Sequence, residues 1–110
     1  MSVKMTGVKE LRLKLKGNMN LSSVKHVVRM NGAEMQAKAQ RNAPVDTGNL
    51  KRSIGLEIRD NGLTAEVEAL AEYAPYVEWG TRFMRAQPFI RPAFNSQKEI
   101  FKRDMDRLMR

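Results

Sequence analysis

Cysteine is absent from this sequence, and histidine occurs once, as His26. Without thiols there is neither a disulfide framework nor a thiolate zinc site, and one imidazole leaves the usual transition-metal sites short of ligands. A reducing compartment is the expected setting. No apolar run approaches the ~18 residues of a membrane span, and the opening residues lack the apolar core of a secretion signal. This predicts a soluble chain, cytoplasmic when made, with no membrane partner. Gly7, Gly17 and Gly32 are scattered, so they form no phosphate-cradling loop. Internal repeats and low-complexity segments are also missing. His26 stands alone on a basic stretch, which suits a surface or partly packed histidine better than a catalytic one. A protein without catalytic, metal or cofactor residues is expected.

Charge is plentiful but unevenly placed. The 110 residues carry a net charge of +8 and fit one small domain, 1–110. Residues 1–52 hold 11 Lys/Arg against 3 Asp/Glu, residues 53–79 hold 1 against 6, and residues 80–110 hold 8 against 3. Basic ends flank an acidic middle. Such a chain can neutralise phosphates, or set the acidic face of one copy against a basic face of the next.

Hydrophobic spacing supplies the elements. Val3 and Met5 alternate over Ser2 to Thr6 as a short edge strand. Val8, Leu11 and Leu15 suit a short helix ending near Gly17, although Leu11, Leu13 and Leu15 also alternate as a strand would. Leu21, Val24, Val28, Met35 and Ala39 mark a longer helix, capped by Asn20 or Ser22 and reaching about Asn42. Gly32 lies on the same stripe, so close packing rather than a break explains it. Ile54, Leu56 and Ile58 alternate, as do Ala65, Val67 and Ala69. A type I′ turn at Asn61-Gly62 pairs Ile58 with Ala65, Leu56 with Val67 and Ile54 with Ala69, all on one face. That register sets Glu57 opposite Glu66 with Glu68 beside them. Like charges so placed are mildly destabilising and call for a cation, either Arg59 or a neighbouring subunit.

Three proline and glycine boxes punctuate these elements. In Ala43-Pro44-Val45-Asp46-Thr47-Gly48, Pro44 stops the long helix, Asp46 or Thr47 accepts a following amide, and Gly48 supplies a positive φ that directs Leu50 and the next strand. Asp46-Thr47-Gly48 is also the active-site tripeptide of aspartic proteases. Here, however, a basic helix and Pro44 replace the apolar strand, and a second carboxylate could come only from a dimer. In Tyr73-Ala74-Pro75-Tyr76-Val77-Glu78-Trp79-Gly80-Thr81, Pro75 starts and Gly80 ends a helical turn. Tyr76 and Val77 face the core, Tyr73 and Trp79 are candidate interface anchors, and Glu78 is a lone acid. Residues 82–88 form a projecting loop with Phe83 and Met84 between Arg82 and Arg85. In Gln87-Pro88-Phe89-Ile90-Arg91-Pro92-Ala93, Pro92 launches a closing helix with Phe94, Phe101, Met105 and Leu108 on one stripe. The expected fold is α+β, a long helix and a C-terminal helix on a small antiparallel sheet with a central hairpin.

The order and spacing of these boxes resemble the tail-completion, or head-tail joining, proteins of long-tailed lambdoid bacteriophages, the minor tail protein Z type. The residues that carry the resemblance are Ala43 to Leu50 with Ser53-Ile54, then Tyr73-Ala74, Tyr76 to Glu78 and Gly80-Thr81, then Met84, Ala86, Pro88 to Ile90 and Pro92-Ala93. The resemblance implies a structural virion protein of a phage or prophage. It would sit at the head-tail junction after assembly in the host cytoplasm, self-associated as a ring, with a hexamer favoured, beside other connector or tail proteins. It implies no catalytic residues.

The candidate contact residues are Glu57, Glu66, Glu68, Trp79, Arg82, Phe83, Met84 and Arg85. Pro44, Asp46, Thr47, Gly48, Tyr73, Tyr76, Gly80, Pro88, Phe89 and Pro92 are the candidate shape-setting residues. A small nucleic-acid-binding module is the alternative, with Lys9, Arg12, Lys14, Lys16, Lys25, Arg29, Lys38 and Arg41 tracking phosphates in non-specific DNA contact.

Overall fold

The structure, a computed structural model, describes residues 2–6, 21–44 and 49–108, with β1 described as backbone plus the Lys4 side chain. The elements run β1 (Ser2–Thr6), α1 (Leu21–Asn42), α2 (Asn49–Ser53), β2 (Ile54–Arg59), β3 (Thr64–Ala69), α3 (Ala74–Trp79) and α4 (Ile90–Leu108). The expected helix before Gly17, the Asn20 cap and the turn residues Asp46, Thr47 and Gly48 lie outside the described residues.

The three strands form one antiparallel sheet in the order β1-β3-β2. Both helix faces of the core cover one side of it. Along α1 the buried positions are Val24, Val28, Asn31, Gly32, Met35 and Ala39, a stripe that turns with the 3.6-residue period over about 33 Å of helix. Gly32 is where the helix comes closest to the hairpin. A Cβ there would lie 2.8 Å from the Ala65 Cβ and 3.0 Å from Leu56 Cδ1, so the unbroken helix needs a glycine at this point. Gln36 and Gln40 then donate to the Ile54 carbonyl at 3.0 and 3.5 Å, tying the second half of α1 to the start of β2.

Helix α1 ends at Asn42, as Pro44 requires. The chain does not pass straight into a strand as expected: Asn49–Ser53 first makes one helical turn, which buries Leu50. The hairpin register is the expected one, with Ile58 opposite Ala65, Leu56 opposite Val67 and Ile54 opposite Ala69. Asn61 (φ 57°, ψ 34°) and Gly62 (φ 93°) have type I′ geometry, closed by the Leu63 amide donating to the Asp60 carbonyl at 3.1 Å. Strand pairing stops at Arg59 and Thr64, however, because Asp60 also takes a positive φ of 54°. Thr64 Oγ1 donates to Asp60 Oδ2 at 2.6 Å and holds that conformation.

Helix α4 begins at Ile90, two residues before Pro92, which sits inside the first turn. Its buried stripe is Ile90, Ala93, Gln97, Phe101 and Met105, while Phe94 and Leu108 pack at its margin. Two amides join the helices within the core. Gln97 Nε2 donates to Asn31 Oδ1 at 2.6 Å and to Glu34 Oε2 at 2.7 Å, and Asn31 Nδ2 donates to Val27 O and Asp104 Oδ2 at 2.9 and 3.0 Å. Gln97 Oε1 is buried without a partner, so this link fixes the helix pairing at some cost.

Candidate functional site

On the far side of the sheet from the helices, pleat geometry brings Glu57, Glu66 and Glu68 together, with carboxylate oxygens within 4.8 Å of one another. The cross-strand pair Glu57–Glu66 is the one the hairpin register requires. The relieving cations belong to the chain itself. Lys4 on β1 reaches Glu66 at 3.3 Å, and Arg59 reaches Glu66 at 3.1 Å and donates from Nε to Glu57 Oε2 at 3.0 Å. Glu66, on the central strand, is thereby covered to 5% exposure.

The hydrogen bond to Glu57 and the charges of Glu57, Glu66 and Glu68 raise the Arg59 pKa further, so it is a permanent cation. Three carboxylates could share a hard cation, but Lys4 and Arg59 already supply two positive charges there. The negative charge left over is carried by Glu57, exposed on the edge strand, and Glu68, which has no ion pair among the described residues.

A second surface lies around α3. Pro75 falls in its first turn, and Gly80 (φ 80°, ψ 175°) ends it. A Cβ on Gly80 would meet the Ala86 nitrogen at 2.8 Å, because the following loop folds back over this point. Thr81 and Met84 exchange backbone hydrogen bonds at 2.9 and 3.3 Å, and the Gln87 amide donates to the Val77 carbonyl at 2.8 Å. Arg82 and Phe83 are thus held at the tip of a tight turn. Phe83 is 90% exposed, with the Arg82 guanidinium 5.8 Å from its ring centroid.

Tyr76 does not face the core as its spacing suggested; it is 59% exposed, and Ala74 and Glu78 are the buried positions of α3. In a helix of six residues the packed face is set by the loop that folds onto it. Tyr76 instead borders an apolar hollow of about 270 Å³ with Tyr73, Val77 and Met84. Trp79 is also exposed, and Arg91 stacks on its ring at 3.7 Å.

Glu78 is not a lone acid but the anchor of this region. Oε1 accepts the amides of Phe89 and Ile90 at 3.0 and 2.9 Å, and Oε2 accepts the amide and Nε of Arg91 at 3.3 and 2.8 Å. These are the unpaired donors at the start of α4, where a carboxylate also meets the positive end of the helix dipole. Burial alone would push the Glu78 carboxyl up; Arg91 and the three amides outweigh it and hold it below its ordinary value. Phe89 is fully buried, and its carbonyl accepts from Asn42 Nδ2 at 3.3 Å, so the third box is fixed to the end of α1. Pro88 is exposed.

The family profile described as "Bacteriophage HK97-gp10, putative tail-component" matches residues 14–80, more than half of the chain. The chain belongs to this family. Comparison with curated proteins and with solved structures gives no match. Membership in the HK97-gp10-like family makes the chain a bacteriophage tail component, a structural class, and places it in the virion. The match takes in the first box of the phage-like pattern and the second as far as Gly80, and the third box lies beyond its end. It supports the phage tail assignment without singling out the lambdoid Z type. Among the described residues, no helix is long and apolar enough to cross a membrane.

The structure draws Glu57, Glu66 and Glu68 into one cluster, and places Trp79 at the end of α3 with Arg82, Phe83, Met84 and Arg85 in the loop that follows. Lys4 and Arg91 have no role in the sequence reading, and Glu78 enters it only as a lone acid. Of these, Glu78 left a trace there: no residue from Ala86 to Arg91 has a side chain that caps the helix that Pro92 announces, so its first amides are open to another acceptor.

Proposed function

We propose that the chain is a tail-completion protein of the minor tail protein Z type, acting at the head-tail junction of a long-tailed phage or prophage as a subunit of a ring, with a hexamer favoured. Its neighbours are further copies of itself and other connector or tail proteins. The observation that carries this reading is the Arg82–Arg85 loop, which presents an exposed Phe83 and two arginines on a member of a tail-component family. An apolar tip so exposed is what an assembly contact covers. The acidic face of the sheet, elsewhere on the same subunit, supplies the second, unlike surface that a head-to-tail ring requires. Assembly begins in the host cytoplasm and ends in the virion.

Native mass spectrometry of the chain, alone and with purified tail tubes, tests the proposal. Closed oligomers, formed alone or on the tube ends, are expected. A chain that stays monomeric and fails to bind tail tubes contradicts it.

Exposed Arg29 and Arg41 on α1 and Lys98, Lys102, Arg103 and Arg107 on α4 favour a second reading, non-specific contact with DNA. A monomer that shifts DNA in a strongly salt-dependent way supports the nucleic-acid module over the joint.

A further inference from the structure

We propose that the Arg82–Arg85 loop of one copy docks into an acidic notch at the β2 edge of the next copy, so that identical chains join head to tail. This rests on the ring reading above and assigns its two surfaces to each other.

The notch is a depression of about 160 Å³ lined by Gly55, Leu56, Glu57, Glu68 and Leu70. Gly55 leaves its floor open, since a Cβ there would touch nothing within 4 Å. Leu70, 69% exposed, offers apolar surface. Glu57 and Glu68 set two carboxylates beside that apolar surface, and Lys4 and Arg59 make their ion pairs with Glu57 and Glu66, leaving Glu68 without one among the described residues.

The loop is the complement of this notch in both respects. It carries one almost fully exposed aromatic ring, with Arg82 and Arg85 on either side of Phe83 and Met84. Phe83 would cover Gly55 and Leu70 while the guanidinium groups meet Glu57 and Glu68, a planar pairing that arginine forms better than lysine. Register and specificity then come from charge, and the contact weakens as salt rises.

The larger hollow beside Tyr76 is a poorer seat for the same loop. Its lining contains no carboxylate, and Met84 of the loop is itself part of it. A knob and a hole that close together would favour a reciprocal pair of subunits over an extending chain. The notch lies on the sheet and the loop follows α3, so two different patches meet and the contact is heterologous.

The absence of cysteine makes this arrangement directly testable. The full chain is prepared as Leu70→Cys and, separately, as Met84→Cys, which keeps Phe83 and both arginines. The two are mixed and treated with a short bis-maleimide. A mixture of Leu70→Cys with Lys102→Cys, on the exposed face of α4, is the control. Covalent 70–84 dimers should exceed the control by about tenfold at low salt. Glu57→Lys/Glu68→Lys in the first partner should return the yield to the control level, and Arg82→Glu/Arg85→Glu in the second should restore it. Circular dichroism of each variant confirms that it is folded.

A 70–84 yield at the control level overturns the docking, and if closed oligomers still form the ring reading survives it. Dominant 84–84 linkage overturns it in favour of a reciprocal pair. Linkage of 70 to 84 in a protein absent from the head-tail joint upholds the docking and removes the ring reading.

Discussion

Replacing Glu78 by glutamine keeps the shape of the side chain and removes its charge. In the native protein the carboxylate accepts four hydrogen bonds, from the amides of Phe89, Ile90 and Arg91 and from Arg91 Nε. The glutamine oxygen can keep the Phe89 and Ile90 amides, but its NH₂ then points at two Arg91 donors. Hydrogen bonds to a charged group contribute about 1.5–3 kcal/mol each, and the Arg91 side chain, 42% exposed, keeps some compensation from water. A net loss of about 2–3 kcal/mol follows, or roughly 10 °C in Tm for a domain of this size. The exposed neighbour Glu72→Gln should change stability by less than about 0.5 kcal/mol.

The pH dependence has a definite sign. The folded carboxyl pKa lies below the ordinary one, so its stabilisation is complete above the unfolded glutamate value of ~4.3 and is lost as pH falls through the folded value. Urea unfolding at pH 7 and at successively lower pH should show a gap between native protein and Glu78→Gln that narrows as pH falls below the unfolded glutamate value. A gap under about 0.5 kcal/mol at pH 7, or one that is the same at pH 3, refutes the role assigned to Glu78.

Three further substitutions test the framework. Gly32→Ala gains up to ~1 kcal/mol of helix propensity but overpacks the rigid Ala65 Cβ, so urea unfolding should show a net loss of about 1 kcal/mol or more. At Gly80, φ 80° and ψ 175° lie in a region nearly exclusive to glycine, and a Cβ would press on the Ala86 nitrogen. Gly80→Ala should cost about 1–3 kcal/mol in thermal unfolding and increase protease cleavage in residues 81–88. Asn31→Leu leaves Gln97 and Asp104 without a shared partner and should cost about 1–3 kcal/mol, while Asn31→Leu/Gln97→Leu should recover part of that loss. A double variant less stable than the single one would contradict the assigned network.

Local chemistry makes much of the frame legible in the sequence. Alternation fixed the hairpin register down to the Glu57–Glu66 pair, Pro44 located the end of α1, and the stripe through Gly32 signalled close packing. The failures came where a distant segment decides the outcome. The spacing of Tyr76 points it inward, but a six-residue helix has too few turns to define a face, and the returning loop selects Ala74 and Glu78 instead. The role of Glu78 depends on amides 11 to 13 residues later, which have no side-chain signature. Asn31 and Gln97 do sit on their stripes, at spacings that would have admitted them to the core, but polar residues there are readable only once both helices are paired. The acidic notch needs Leu70 beside Gly55, which only the folded sheet brings together.

The role proposed for this tail-family protein is that of an oligomer at the junction of head and tail. The most direct measurement is cryo-electron microscopy of particles carrying a tagged copy, reconstructed around the neck. A closed ring of tagged density at the head-tail joint is expected. Tagged density repeating along the tail tube, lying on the capsid shell or missing from mature particles would contradict it.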